Sequence, residues 1–460
     1  MRRTQLDTIG FLLIAGIVFY QSMLPPVVSL GNNGDFGKVL GHFSLGSPVQ
    51  FQHNFAPVKF RFDPAFTYHA AFRSSEIPLA AAAIGLSSVL SKTGEVDIRT
   101  VGIIHGGIFL LAVYLLIPVL GHFADPKVRF MILVAIGATF CDVMYVSVFN
   151  SFYMDASALV FLLLTVVLFL RSLLWQRPAD LIGFVIASLF LVTAKPQHAA
   201  VVIPLAILIV CYRKLCPLPV APWIVIAVLT AAASWTGFSL PPDYVRISMY
   251  DVIFAGLLPD SPSPPDEIRE FGLERADARF TGSTAYWPSG GFGDAAFVAR
   301  FAERVHSPTL LRYYLRHPAR AFKLLLRDLD DAGNMRPVNG NFDPGEGLPP
   351  WAQSHAFEQW SALKKLWFAN HGRRYLWFTI ASAGMLLLRA GLSDFRSRWF
   401  PAAGCLVMAL TVEMSITSFA DATEAARHFT IFSALLDVCL LVLLASLLSH
   451  QRAKLEHRPC

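Results

Sequence analysis

Apolar residues along this chain do not alternate with polar ones but run in blocks of about 17 to 23, long enough as helices to cross a hydrocarbon core of about 30 Å. The blocks predict membrane helices over residues 8–30, 100–121, 128–149, 154–174, 180–194, 197–213, 219–239, 374–391, 399–419 and 428–449. A barrel is not expected, because its strands would show strict alternation over about 10 residues. Two long polar segments separate the blocks, 31–99 and 240–373. The expected architecture is therefore an all-α polytopic membrane protein of ten spans. It has a first membrane module (1–239) with an outer loop at 31–99, an outer domain or loop at 240–373, and closing membrane helices at 374–460.

The second polar segment reads as mostly helical. Pro265-Asp266 starts a short helix ending at Gly272, and another covers 294–306. Ser307-Pro308 then gives an N-cap and first-turn pair for a helix over 310–330. In that helix Leu310, Leu311, Tyr314, Leu315, Phe322, Leu325 and Leu326 are interleaved with Arg312, Arg316, Arg320, Lys323 and Arg327. This is the pattern of a basic amphipathic helix lying on a membrane surface.

Composition and charge sharpen the picture. The chain has 460 residues, 55% hydrophobic and 15% charged, with a net charge of +6; its mean hydropathy is +0.51. These values exclude a soluble enzyme, a disordered chain or a nucleic-acid reader as a description of the whole. With the N-terminus inside, every second loop is basic: Arg2 and Arg3; Lys127 and Arg129; Arg171 and Arg177; Arg213 and Lys214; Arg389, Arg396 and Arg398; Arg452, Lys454 and Arg458. Only Asp7, Asp125, Asp180, Asp394 and Glu456 oppose them. The positive balance is thus a matter of membrane topology and anionic lipid, not of nucleic acid. Counting the Ala-rich run 77–90 as a span would turn every later basic loop outward, so it is expected to lie in the outer interface. The opening run 9–24 has no small-x-small site before Pro25-Pro26 and is read as an uncleaved anchor. The six cysteines sit in or beside apolar runs or at the C-terminus, which excludes a disulfide scaffold. No internal repeat is visible.

Four polar constellations fall at outer ends of the predicted spans. Gly31-Asn32-Asn33-Gly34-Asp35 follows the first span; Asp35, partly desolvated there, could act as a general base or could merely cap the next helix. Asn150-Ser151-Phe152-Tyr153-Met154-Asp155 turns between two spans on the same face, where Asp155 is a second carboxylate or a helix cap. Thr193-Ala194-Lys195-Pro196-Gln197-His198 breaks a long apolar stretch, and a lysine at that depth asks for an anion or for snorkelling. Glu424-Ala425-Ala426-Arg427-His428 precedes the last span, and Arg427 could fork onto a phosphate or a carboxylate. Asp142, Glu413, Asp437 and His105 read as groups satisfied inside the bundle. Asp328-Leu329-Asp330-Asp331 has the form of a metal triplet but reads as a helix end. The Gly-rich stretch 282–294 lacks a phosphate-loop lysine, and its Tyr286 and Trp287 suit a sugar face.

With those residues placed, the chain resembles the integral-membrane glycosyltransferases of the GT-C fold, which use polyprenyl-phosphate-linked sugars. The resemblance implies that Asp35 stands at the catalytic base, that 150–155 is a second acidic loop, and that Lys195 and Gln197 meet the lipid phosphate. The stretch 250–258, with Ser263-Pro264-Pro265 and Phe271-Gly272-Leu273, is similar to bacterial hexose transferases of surface glycans. The expected site is Asp35 and Asp155 as catalytic groups. Asn33, Asn150, Tyr153, Lys195, Gln197, His198, Arg246, Tyr250, Glu424, Arg427 and His428 are expected around donor and phosphate. Asp35 lacks the acidic neighbour of a paired-acid motif, so no metal or other cofactor is expected. The implied partners are a polyprenyl-phosphate-linked sugar, a glycan, lipid or protein acceptor, and membrane lipid, on the periplasmic face of a bacterial inner membrane. The competing readings are an O-antigen ligase or polymerase, and a lipid or glycan transporter, against which few buried charges are expected.

Overall fold

The computed structural model describes residues 4–47, 53–64, 71–91, 93–213, 221–392, 396–420 and 423–456. Arg2, Arg3, Lys214, Asp394, Arg458, Cys216 and Cys460 lie outside them.

The chain is a polytopic helical membrane protein. Every apolar block forms a helix, but the lengths differ from those expected. Gln5–Met23, Ile98–Phe123, Met154–Trp175, Gly372–Leu392, Trp399–Ala420 and Thr430–Ser449 are long and apolar enough to cross a membrane. A bent pair, Pro222–Phe238 and Pro242–Asp260, makes a seventh if taken as one. Pro126–Phe140 and Pro178–Val192 are shorter, as is the 3₁₀-to-α run Pro196–Tyr212.

The shortening has a local cause. The blocks predicted as 8–30 and 128–149 stop being helical at Met23 and Phe140. Beyond those points the backbone is extended or turned, apart from the single helical turn Val143–Val146, with Val27 to Leu30 and Val143 to Tyr153 buried. Irregular backbone at such a place survives only inside protein, where other groups satisfy it. Asn150 does so, donating its side-chain amide to the carbonyls of Ser22 (2.8 Å) and Val28 (2.9 Å).

Caps set several starts. Asp97 accepts from Arg99 N–H, Asp125 accepts from Lys127 and Val128 N–H ahead of Pro126, and Thr4 and Asp7 form a capping box on the first helix. Asp7 also takes a two-pronged contact from Arg129 at 2.9 and 2.8 Å, so this basic-loop arginine is buried in an ion pair. Buried charge is more plentiful than expected. His105 faces Glu76 at 3.1 Å, and Lys364 faces Asp437 at 3.1 Å beside the Tyr145 hydroxyl (2.6 Å) and the Trp360 indole N–H (3.0 Å). His105 has its partners within the bundle, as read, whereas Asp142 and Asp437 draw theirs in part from Ser361, Lys364 and Trp360 of the second polar segment.

The first polar segment is not helical throughout. The helix Glu76–Leu90 forms as predicted and packs on Ile98–Phe123. A three-stranded antiparallel sheet stands beside it: Leu45–Gly46 pairs with Lys59–Phe62 (Leu45 opposite Phe62), which pairs with Glu95–Asp97 (Phe60 opposite Val96).

The second polar segment has a core of its own around Tyr250, Phe254, Phe271, Phe297 and Phe301. Short helices at Pro264–Glu267 and Ala295–Arg304 match the reading. The single helix expected over 310–330 is two, Ser307–Arg316 and Pro318–Ala332, because Pro318 cannot continue the first and disfavours helical backbone at His317. His306, not Ser307, is the N-cap. The basic face is partly turned inward: Arg320 donates to the Leu257 and Asp260 carbonyls (2.6 Å each), Arg327 to Gly256 (2.6 Å), and Lys323 pairs with Asp260.

Residues 339–351 return to the first loop through backbone bonds. Gly31 N–H donates to Gly340, Ser29 to Asn341, Ala56 to Phe342 and Trp351 to Asn54. Gly340 allows this closeness, since a Cβ there would lie 2.2 Å from the Asn54 carbonyl oxygen. The two polar segments therefore form one layer over one end of the bundle.

Candidate functional site

Under that layer, four separate stretches of sequence bring charged side chains together. The first is the turn after the first helix. Asn32 Oδ1 accepts the N–H groups of Gly34 (2.8 Å) and Phe36 (3.1 Å), and Asn33 Oδ1 accepts that of Asp35 (3.0 Å). Gly34 has φ +109°, open to glycine alone. These Asx bonds fix the direction of Asp35. Asp35 caps nothing, because the following Gly37–Leu40 helix has Phe36 as its N-cap and no side-chain cap bond. Its carboxylate instead meets Lys38 Nζ at 2.5 Å and Arg427 at 2.9 Å. Burial pushes the Asp35 carboxyl up, but Lys38 and Arg427, with Lys195 behind them, outweigh it and hold the group well below the usual carboxylate range.

The second stretch holds Tyr153 and Asp155. Tyr153 is the N-cap of Met154–Trp175 without a side-chain cap bond, which frees Asp155 from capping. Asp155 is almost wholly buried and faces Lys195 (3.1 Å), Arg427 (3.4 Å) and His198 (3.8 Å). Lys195 is thus no ordinary loop lysine. Tyr153 donates to the Gly31 carbonyl (2.7 Å), accepts the Asn33 N–H (3.1 Å), and lays its ring under the Arg427 guanidinium at 4.8 Å.

The third and fourth stretches close the group. His198 Nδ1 lies 3.0 Å from Glu413, an intramembrane carboxylate that thereby joins the site. Arg427 meets three carboxylates, adding Glu424 at 2.9 Å, and its guanidinium donates to His428 Nε2 at 2.9 Å. Glu424 accepts from the Asn33 amide (2.6 Å) and sits at φ +51°, a strained value for a residue with a Cβ. Gln197 is at the edge, donating to Thr417 Oγ1 (2.6 Å) and the His428 carbonyl (2.9 Å).

The cluster has an open side and a closed one. The side chains of Asp35 and Glu424 are 15% and 32% exposed, whereas Asp155 is 2% exposed and Glu413 wholly buried.

Three expected site residues stand apart. Asn150 supports the first helix end, as described. Arg246 is partly exposed and pairs with Asp243 one turn before it (2.7 Å). Tyr250 is buried in the core of the second polar segment, bonded to Ser283 Oγ (2.7 Å) and Gly291 N–H (2.8 Å). Conversely, sequence reasoning missed Lys38, Asn339, which donates to the Gly31 carbonyl (2.8 Å), and the part played by Glu413. Lys38 stands three residues after Asp35, a spacing that joins charges on one helical face and could have found it.

Among the described residues, no group of three His, Cys, Asp or Glu side chains is arranged to hold a metal ion. Asp330 and Asp331 accept the N–H groups of Gly372 and Ala426, tying the outer layer to the bundle.

A family model described as the YfdI N-terminal transmembrane domain matches residues 1–458. The chain belongs to that family. A comparison with curated proteins finds no match. The YfdI match spans all four stretches of the cluster.

Proposed function

We propose that the chain is a glycosyltransferase of GT-C architecture, which moves a sugar from a polyprenyl-phosphate donor to a glycan, lipid or protein acceptor. The observation that carries the reading is the cluster of Asp35, Asp155, Lys195 and Arg427 at one end of the bundle, with Asp35 on its open side. A carboxylate beside cations, next to lipid, suits a reaction that removes a proton from a hydroxyl and leaves charge on a phosphate. The resemblance of the outer loops and the membership of a transmembrane-domain family support it.

In this reading the acceptor oxygen attacks the anomeric carbon and its proton passes to Asp35. The bond from carbon to phosphate oxygen breaks with its electron pair on the phosphate, and Arg427 and Lys195 offset that charge. Asp155 holds both cations in place. No nucleotide is needed. The ten helices are ten spans, the shorter ones completed by buried irregular backbone. Residues 240–373 form a periplasmic lobe, and the membrane is a bacterial inner membrane.

The test is incubation of the purified chain with a polyprenyl-phosphate-linked hexose and a surface-glycan acceptor. Release of polyprenyl phosphate with extension of the glycan is expected. Movement of the donor between leaflets without release would favour a transporter instead.

A further inference from the structure

Lys38 is the cation nearest to Asp35, and its surroundings differ from those of the other two in the cluster. Its ammonium lies 2.5 Å from Asp35 and 4.9 and 4.5 Å from the ring centres of Phe72 and Tyr244. Those rings pack edge to face at 4.7 Å and form an aromatic corner. Aromatic faces attract a cation without neutralising it. Among the described residues Asp35 is the one carboxylate paired with Lys38, whereas Arg427 is shared among three and Lys195 is set against Asp155 on the closed side.

The cluster carries no surplus of permanent positive charge. Asp35, Asp155, Glu413 and Glu424 share Lys38, Lys195 and Arg427, with His198 and His428 between them. A phosphate entering here must take a cation away from a carboxylate. That exchange costs least where the released carboxylate regains water, and Asp35 at 15% exposure is better placed for this than Asp155 at 2%. A lysine on a flexible four-carbon stem, with one carboxylate to leave, is the group suited to make it.

We propose that Lys38 changes partners during the reaction, neutralising Asp35 in the resting site and passing to the donor's phosphate on binding, so that Asp35 is released as a base only with a donor in place. The inference rests on the glycosyl-transfer reading above. In the transfer step the acceptor oxygen bonds to the anomeric carbon and its proton goes to the freed Asp35. The electron pair of the breaking bond stays on the phosphate oxygen, where Lys38 and Arg427 meet it. Lys38 thereby couples the two halves of the reaction.

The test is binding of a sugar-free polyprenyl phosphate to the full chain in nanodiscs, with the neutral polyprenol as control. If Asp35 and the phosphate compete for one ammonium, Asp35→Asn should bind polyprenyl phosphate about tenfold tighter than the wild type. Lys38→Met or Lys38→Gln should weaken it by a similar factor, and Lys38→Arg should stay within a few-fold. The gain from Asp35→Asn should vanish in the Asp35→Asn/Lys38→Gln double variant, and polyprenol binding should be the same throughout. An Asp35→Asn protein that binds no tighter than wild type, or whose gain survives loss of Lys38, overturns the exchange. A wild type that binds polyprenyl phosphate no better than polyprenol would remove the donor reading itself.

Discussion

Asp35 and Asp155 are both carboxylates within reach of Arg427, yet their surroundings assign them different work. Asp35, at the open edge, is the one a hydroxyl can reach, and general-base catalysis contributes about 10² to 10⁴ in rate. Asp35→Asn should therefore lower turnover by that order in a transfer assay, while donor binding is kept or tightened. A rate within a few-fold of wild type would end the base assignment. Asp155 is enclosed, and removing its partner strands a charge. Lys195→Ala should cost on the order of 3 kcal/mol of stability, softened by Arg427 at 3.4 Å. Adding Asp155→Asn should recover most of it in a thermal melt of the purified protein. These residues were legible because a charge beside an apolar run is costly and so rarely idle. Lys38 offered only its spacing from Asp35, since a lysine in a polar loop costs nothing until a fold buries it. Arg246 and Tyr250 show the converse: their chemistry fits the site, but sequence carries no distance.

At the scale of elements, each apolar block forms a helix, but several ends were misjudged and six or seven of the ten are long enough to cross a membrane. Hydropathy measures whether a residue tolerates an apolar surrounding, and it is blind to whether that surrounding is lipid or protein. Residues 141–149 read as the end of a span and are instead buried turns and one short helix, Val143–Val146, held by side chains. Asn150 is the clearest case, and its neighbour across the packing is the helix Ile98–Phe123. A Cβ at Gly102 would fall 1.9 Å from Asn150 Oδ1 and 3.2 Å from Met23 Cε. Gly102→Ala should destabilise the protein by about 1 to 3 kcal/mol, as overpacking does. In the same helix a Cβ at Gly107 meets nothing within 4 Å, so Gly107→Ala should be neutral or stabilising. Equal effects of the two in a melting experiment would mean that the contact of Asn150 with this helix does not support the fold. The break at Pro318 was readable, since a proline within a predicted helix marks its end. The amphipathic pattern across it is continuous and hid the break.

At the scale of the whole molecule, the arrangement turns on which end of the bundle faces out. The charged cluster and both polar segments lie at one end. The Asp7–Arg129 and Arg171–Asp180 pairs belong to loops of opposite parity at the other. Placing the basic loops inside therefore sets the cluster outside, and the two assignments stand or fall together. Six helices of full length alone would leave this undecided, because each short helix, counted or not, inverts everything after it. Single cysteines in a cysteine-free background separate the cases. Val338→Cys and Phe62→Cys, at exposed positions of the outer layer, should react with a membrane-impermeant maleimide on intact cells. Arg177→Cys, exposed at the turn between Met154–Trp175 and Pro178–Val192, should react only after permeabilisation. Labelling of Arg177→Cys from outside would invert the topology and turn the cluster toward the cytoplasm. Labelling of all three would mean that two of the shorter helices fail to cross, one on each side of residue 177.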